Sequence, residues 1–111
     1  MKILLVYCHP NPASFTASVK DTALSALQAS GHEVDVLDLY AEGFEPVMSR
    51  EERLGYHTPG ENRAPVASHL DRVKAAEGLL FVYPTWWYAQ PAMLKGWLEL
   101  VLIRHETFTM P

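Results

Sequence analysis

The sequence predicts an α/β fold: a parallel sheet of three strands in the order 2-1-3, with helices on both faces, as in the opening half of a doubly wound domain. Three observations predict it. Met1 to Cys8 and Leu79 to Tyr83 are apolar runs without alternation, which marks strands covered on both faces. Between strand-like stretches the apolar residues switch to helical spacing, so strand and helix alternate along the chain. Right-handed crossovers then place the first strand between the other two.

Each element has its own local cause. The first strand, with Ile3-Leu4-Leu5-Val6-Tyr7 inside it, is stopped by His9-Pro10-Asn11-Pro12, because proline supplies no ladder donor. A helix follows from about Ser14, where Phe15, Val19, Ala23, Ala26 and Leu27 recur at helical spacing, and Gly31 offers its left-handed exit. Val34, Val36, Leu37 and Leu39, broken by Asp35 and Asp38, form a second, more edge-like strand. Ser49-Arg50-Glu51-Glu52 is a capping box that starts a short helix, and residues 55–65 read as a surface loop around Thr58-Pro59-Gly60. A longer helix is expected from about Pro65 to Glu77, with Val66, Leu70 and Val73 inward and Gly78 closing it. Pro84 ends the third strand, and Trp86-Trp87-Tyr88 fill the next loop. Pro91 suits the first turn of the last helix, which continues to about Ile103.

A chain of 111 residues has room for one domain, taken as residues 1–111, and for one core. Nine basic against thirteen acidic residues leave a net charge of -4, which argues against a nucleic-acid partner. The longest apolar run has six residues, against the roughly 20 of a membrane helix, so no membrane insertion is expected. No charged, apolar leader opens the sequence and Cys8 has no disulfide partner, so a cytoplasmic protein is expected. His32, His57, His69 and His105 lack metal-ligand spacing and read as solvated surface residues, with no metal site. The stretch from Glu99 to Ile103 is apolar enough for core or for a dimer face.

In sheets of this kind ligands bind beyond the carboxyl ends of the strands where the winding reverses, here between the first and third strands. The loops at that point are residues 9–15 and 84–90, the two most unusual stretches of the chain. A helix starting at Ser14 to Thr16 presents free backbone N–H groups to an anion, with hydroxyls and the His9 ring as further donors. The plainer alternative is a simple N-cap at Ser14 and a solvated His9. Neither G-x-G-x-x-G nor G-x-x-x-x-G-K-[ST] occurs, so dinucleotide and P-loop signatures are absent. A cysteine phosphatase would need an arginine six positions after Cys8; that position is Ser14, and Cys8 reads as a small buried residue. Trp86, Trp87 and Tyr88 stand consecutively where a loop is normally polar. Such residues either wall a flat aromatic ligand or pack on a neighbouring helix or subunit. A phosphate cradle beside a planar wall points to a flavin nucleotide.

His9-x4-Ser14-Phe15, Asp38-Leu39-Tyr40, Phe44-x-Pro46-Val47-x-Ser49 and the run from Tyr83 to Trp97 together resemble the NAD(P)H:quinone oxidoreductase (DT-diaphorase) family. The resemblance implies a flavodoxin-like fold, FAD (with FMN as the alternative), and ping-pong transfer of two electrons from NAD(P)H to a quinone. It also implies a homodimer with its sites at the subunit interface. Carried over by position, His9, Phe15 and Thr16 would contact the phosphate-bearing part of the flavin, with Ser14 at the helix start. Pro84, Thr85, Trp86, Trp87 and Tyr88 would hold the isoalloxazine ring, and Trp87 and Tyr88 would also face the nicotinamide or quinone. Family members are longer, so the match is expected to cover their N-terminal portion, and the catalytic residues of the later strands are not assigned. The alternative is a non-catalytic module of the same fold that binds a partner through its exposed sheet edge.

Overall fold

A computed structural model of the protein describes residues 1–109. Its elements follow one another as β1 (Lys2–Tyr7), α1 (Phe15–Ala29), β2 (Glu33–Asp38), α2 (Arg50–Gly55), a 3-10 turn (Ala64–Val66) running into α3 (Ala67–Ala75), β3 (Gly78–Val82) and α4 (Ala92–Val101). The three strands are parallel in the order β2-β1-β3, the expected one. β1 pairs Ile3 to Tyr7 with Val34 to Asp38 on one side and with Gly78 to Val82 on the other.

The unbroken apolar run of β1 serves two cores, as its pattern requires. Leu4, Val6 and Cys8 pack with Leu37, Leu39, Val66, Leu94, Trp97 and Val101 beneath α3 and α4. Leu5 and Tyr7 face the other way, toward Ala17, Leu24 and Val82 beneath α1. Leu100, Val101 and Ile103 are buried, so the apolar end of α4 is core.

The structure corrects the sequence reading at several places. Phe15, Val19, Ala23 and Ala26 share a face of α1, but Phe15 and Val19 are exposed and all four line a shallow apolar groove on the outside. Ala17 and Leu24 meet the sheet instead. Gly78 does not close the preceding helix: α3 ends at Ala75, Ala76 is extended, and Gly78 is already the first residue of β3. β2 stops at Asp38 and β3 at Val82, one residue before Leu39 and Tyr83, and Pro91 is the extended cap residue just ahead of α4. The capping box at Ser49 is formed with both of its bonds. The loop of residues 55–65 is less superficial than expected, for Asn62 is buried and donates to the Arg104 carbonyl at 3.0 Å.

Candidate functional site

The carboxyl ends of β1 and β3 deliver two loops to one place, where the rings of His9 and Trp86 meet edge to face with centroids 5.7 Å apart. The loop after β1 is tightly tied. Asn11 donates its N–H to His9 Nδ1 at 2.9 Å, which leaves Nε2 as the donating nitrogen of a neutral ring. Asn11 also accepts from Ala13 N–H through Oδ1 at 2.9 Å and from Ser14 N–H through its carbonyl at 3.1 Å. Ser14 Oγ accepts from Ala17 N–H at 3.0 Å, so Ser14 is an N-cap, with its own O–H still free to donate. The first-turn amides of Phe15 and Thr16 are the donors a helix leaves open at its start.

The loop after β3 departs further from ordinary backbone. Trp86 and Ala89 exchange N–H···O bonds of 3.1 and 3.2 Å, closing a two-residue turn around Trp87 and Tyr88. Both central residues are left-handed, with φ of 51° and 61°. Such turns normally carry Asn-Gly, and each bulky residue held there stores about 1–3 kcal/mol. Trp87 and Tyr88 are 93% and 97% exposed, so no packing within the described residues explains them.

Pro84, Thr85, Trp86, Trp87 and Tyr88 therefore lie beside His9, and Ser14, Phe15 and Thr16 follow at the start of α1, all at the β1/β3 end of the sheet. On the β2 side of His9 is a cavity of about 280 Å³ that sequence reading missed. It is lined by Tyr7, Pro12, Lys20, Asp38 and Tyr40, with the Lys20 ammonium 5.0 Å from the Tyr7 ring centre. The Tyr7 hydroxyl is buried without a hydrogen-bond partner. Sequence offered no sign of this: Tyr7 reads only as part of the first strand, and nothing marks Lys20.

Cys8 is the small buried residue the sequence suggested, whereas His69 departs from its reading. Burial pushes the Cys8 thiol up to about 11, so it stays protonated and carries no nucleophile. His69 is not a solvated surface residue: it is half-buried and accepts the indole N–H of Trp97 at Nδ1, 3.0 Å away. No group of three possible metal ligands occurs among the described residues. No helix among them is long and apolar enough to cross a membrane.

A parallel sheet wound in both directions from β1, with an aromatic turn at the reversal point, defines the class of doubly wound α/β proteins. The flavodoxin-like fold family model matches residues 1–111, and the chain belongs to that family. It is 32% identical over 126 residues to ribosyldihydronicotinamide dehydrogenase [quinone] of Pongo abelii, covering 99% of this chain and 54% of the relative. It is 34% identical to NAD(P)H dehydrogenase [quinone] 1 of Rattus norvegicus, covering 97% of this chain and 45% of the relative. Among solved structures, the NAD(P)H:quinone oxidoreductase from Methanothermobacter marburgensis superposes with a TM-score of 0.86 at 31% identity, over 97% of this chain and 55% of that one. The chain thus spans about half the length of the relatives it matches.

Proposed function

We propose that this chain supplies the flavin-holding part of an NAD(P)H:quinone oxidoreductase. The observation that carries the reading is the left-handed pair Trp87-Tyr88, exposed and aromatic, next to His9 and the open start of α1. Strain of this kind persists where it presents groups to a ligand.

The residues present fit a flavin nucleotide. The amides of Phe15 and Thr16, the Ser14 and Thr16 hydroxyls and His9 Nε2 form a donor set for a phosphate. The turn offers ring faces for stacking and outward amides for ring carbonyls and nitrogens, and Pro84 and Thr85 lead the chain into it. A bound flavin would supply two-electron chemistry, which the chain's own side chains lack. The chain's part is to bind, orient and shield, with Trp87 and Tyr88 forming the surface a nicotinamide or quinone would lie on. The same reading takes residues 1–111 as one domain, a homodimer as the assembly, and a reducing compartment such as the cytoplasm, in keeping with the lone Cys8. FAD is preferred over FMN on the family resemblance alone.

The test is the visible absorption spectrum of the purified chain after loading with FAD or FMN and gel filtration. Retained flavin bands that bleach on adding NAD(P)H are expected, and Trp87→Ala should lose flavin at least tenfold faster. A chain that retains neither flavin at micromolar concentration sinks the reading. A second reading has one observation in its favour: β3 is an edge strand, with Leu79 exposed on it. A non-catalytic module that docks a partner strand there would associate without binding flavin, which the same gel filtration distinguishes.

A further inference from the structure

α4, which begins three residues after the aromatic turn closes, carries a single polar bond from its buried side to α3. Trp97, wholly buried, donates its indole N–H to His69 Nδ1 on α3. That bond requires a neutral His69 with its proton on Nε2. His69 is also part of the wall of a polar cavity of about 270 Å³, through which a proton can approach the ring. The groups facing it come from every element around it. Glu42 and Glu45 belong to the segment after β2, Glu52 to α2, and Arg72 to α3 itself, while α4 contributes Trp97 and Leu100. The ring of Phe44 covers His69 with centroids 5.1 Å apart.

We propose that His69 is a positioning residue for the flavin site: neutral, it fastens Trp97 and so holds the start of α4 and the Trp86–Ala89 turn; protonated, it releases both. A proton added at Nδ1 sets two N–H groups against each other and leaves the Trp97 donor without an acceptor in a dry interior. Glu42, Glu45 and Glu52 line the same cavity, with Glu42 bonded by Arg72 and Glu52 by the Ser49 N–H. Burial lowers the His69 pKa from its ordinary 6.5, Glu42 opposes this, and Arg72 adds to it. A lowered histidine pKa means that the fold favours the neutral ring, so its contribution is present above pH 6.5 and fades as pH falls below that value. The link to the turn is short. Lys95 N–H bonds the Pro91 carbonyl at 2.9 Å to close the first turn of α4, and Pro91 follows Ala89 by two residues. Only the effect on flavin rests on the function proposed above.

The experiment follows the indole N–H signals of Trp97 and Trp87 by proton–nitrogen NMR in the ligand-free chain between about pH 7.5 and 5.5, with FAD and FMN titrations at both ends. In wild type both signals should move with one midpoint, matched by the His69 ring nitrogens. Affinity for the flavin that binds should fall roughly tenfold, the scale of one lost hydrogen bond. In His69→Asn the amide oxygen, attached to Cγ as Nδ1 is, accepts the same bond but does not titrate, so both signals and the affinity should be flat. A Trp97 signal that stays put while the His69 ring titrates overturns the proposal, and so does a Trp87 signal that ignores a moving Trp97. If His69→Asn does not fold, the wild-type His69 nitrogens and the two indoles decide alone. A flavin affinity that does not change with pH while the signals move overturns the positioning role. Moving signals with neither FAD nor FMN bound at either pH would instead overturn the flavin reading and leave the His69–Trp97 link standing.

Discussion

Trp87 and Tyr88 occupy backbone that L-residues avoid, and the cost should be separable from the use. At position 88, glycine suits φ of 61° while alanine does not. Tyr88→Gly should therefore be more stable than Tyr88→Ala by about 1 kcal/mol in urea unfolding of the ligand-free chain. Both should bind flavin more weakly than wild type, because both lose the ring. Equal stability of the two variants would mean that the turn relaxes out of the left-handed region in solution. Nothing in the sequence announces this turn, since the Asn-Gly signature is absent and the strain appears only once Trp86 and Ala89 are seen to close it. The aromatic run itself was legible as a wall for a planar ligand, whereas the cavity beside it was not. Tyr7, Lys20 and Asp38 are far apart in sequence, and only the ends of β1, β2 and the first turns of α1 bring them together.

Among the elements, α4 and α3 are fixed by contacts that sequence motifs record without explaining. A Cβ placed on Gly96 would lie 2.2 Å from the Pro46 carbonyl oxygen and 2.5 Å from its Cβ. The two family-like runs, around Phe44-x-Pro46 and Lys95-Gly96-Trp97, are thus one packing contact seen twice. Gly96→Ala should destabilise by about 3 kcal/mol, measured by denaturant midpoint, since α4 or the segment after β2 must move. α3 is held by Arg72, which donates to both carboxylate oxygens of Asp35 at 2.8 and 2.9 Å, to the Val36 carbonyl at 3.0 Å and to Glu42 at 2.8 Å. Asp35 reads as a surface charge in sequence because its partner lies 37 positions away. The Arg72 hydrogen bonds hold the Asp35 carboxyl below its ordinary 3.8, so this stabilisation is present above that pH and is lost as pH falls through the folded value. Arg72→Met should cost roughly 2 kcal/mol at neutral pH, and the difference from wild type should shrink as the solution is taken below about pH 4.

Over the whole molecule, the class of fold and its strand order were legible because they rest on periodicity and on the handedness of crossovers, which need no partner to be known. The direction in which α1 faces was not. Helical spacing groups Phe15 with Val19, Ala23 and Ala26, but it does not say whether that side meets the sheet, and the sheet is met by Ala17 and Leu24. That outward stripe gives a prediction at this scale. Val19→Lys should leave unfolding within about 0.5 kcal/mol of wild type, because a half-exposed position tolerates charge, whereas Leu24→Lys should unfold the chain. The sheet itself has a consequence in the time domain. β1 is bonded on both sides, while β2 and β3 each have one unpaired flank among the described residues. Successive amides of a strand point to opposite sides, so deuterium uptake should be uniformly slow along β1. Along β3 it should alternate, one amide guarded by β1 and the next open to solvent, and addition of any strand to that edge would erase the two-residue rhythm.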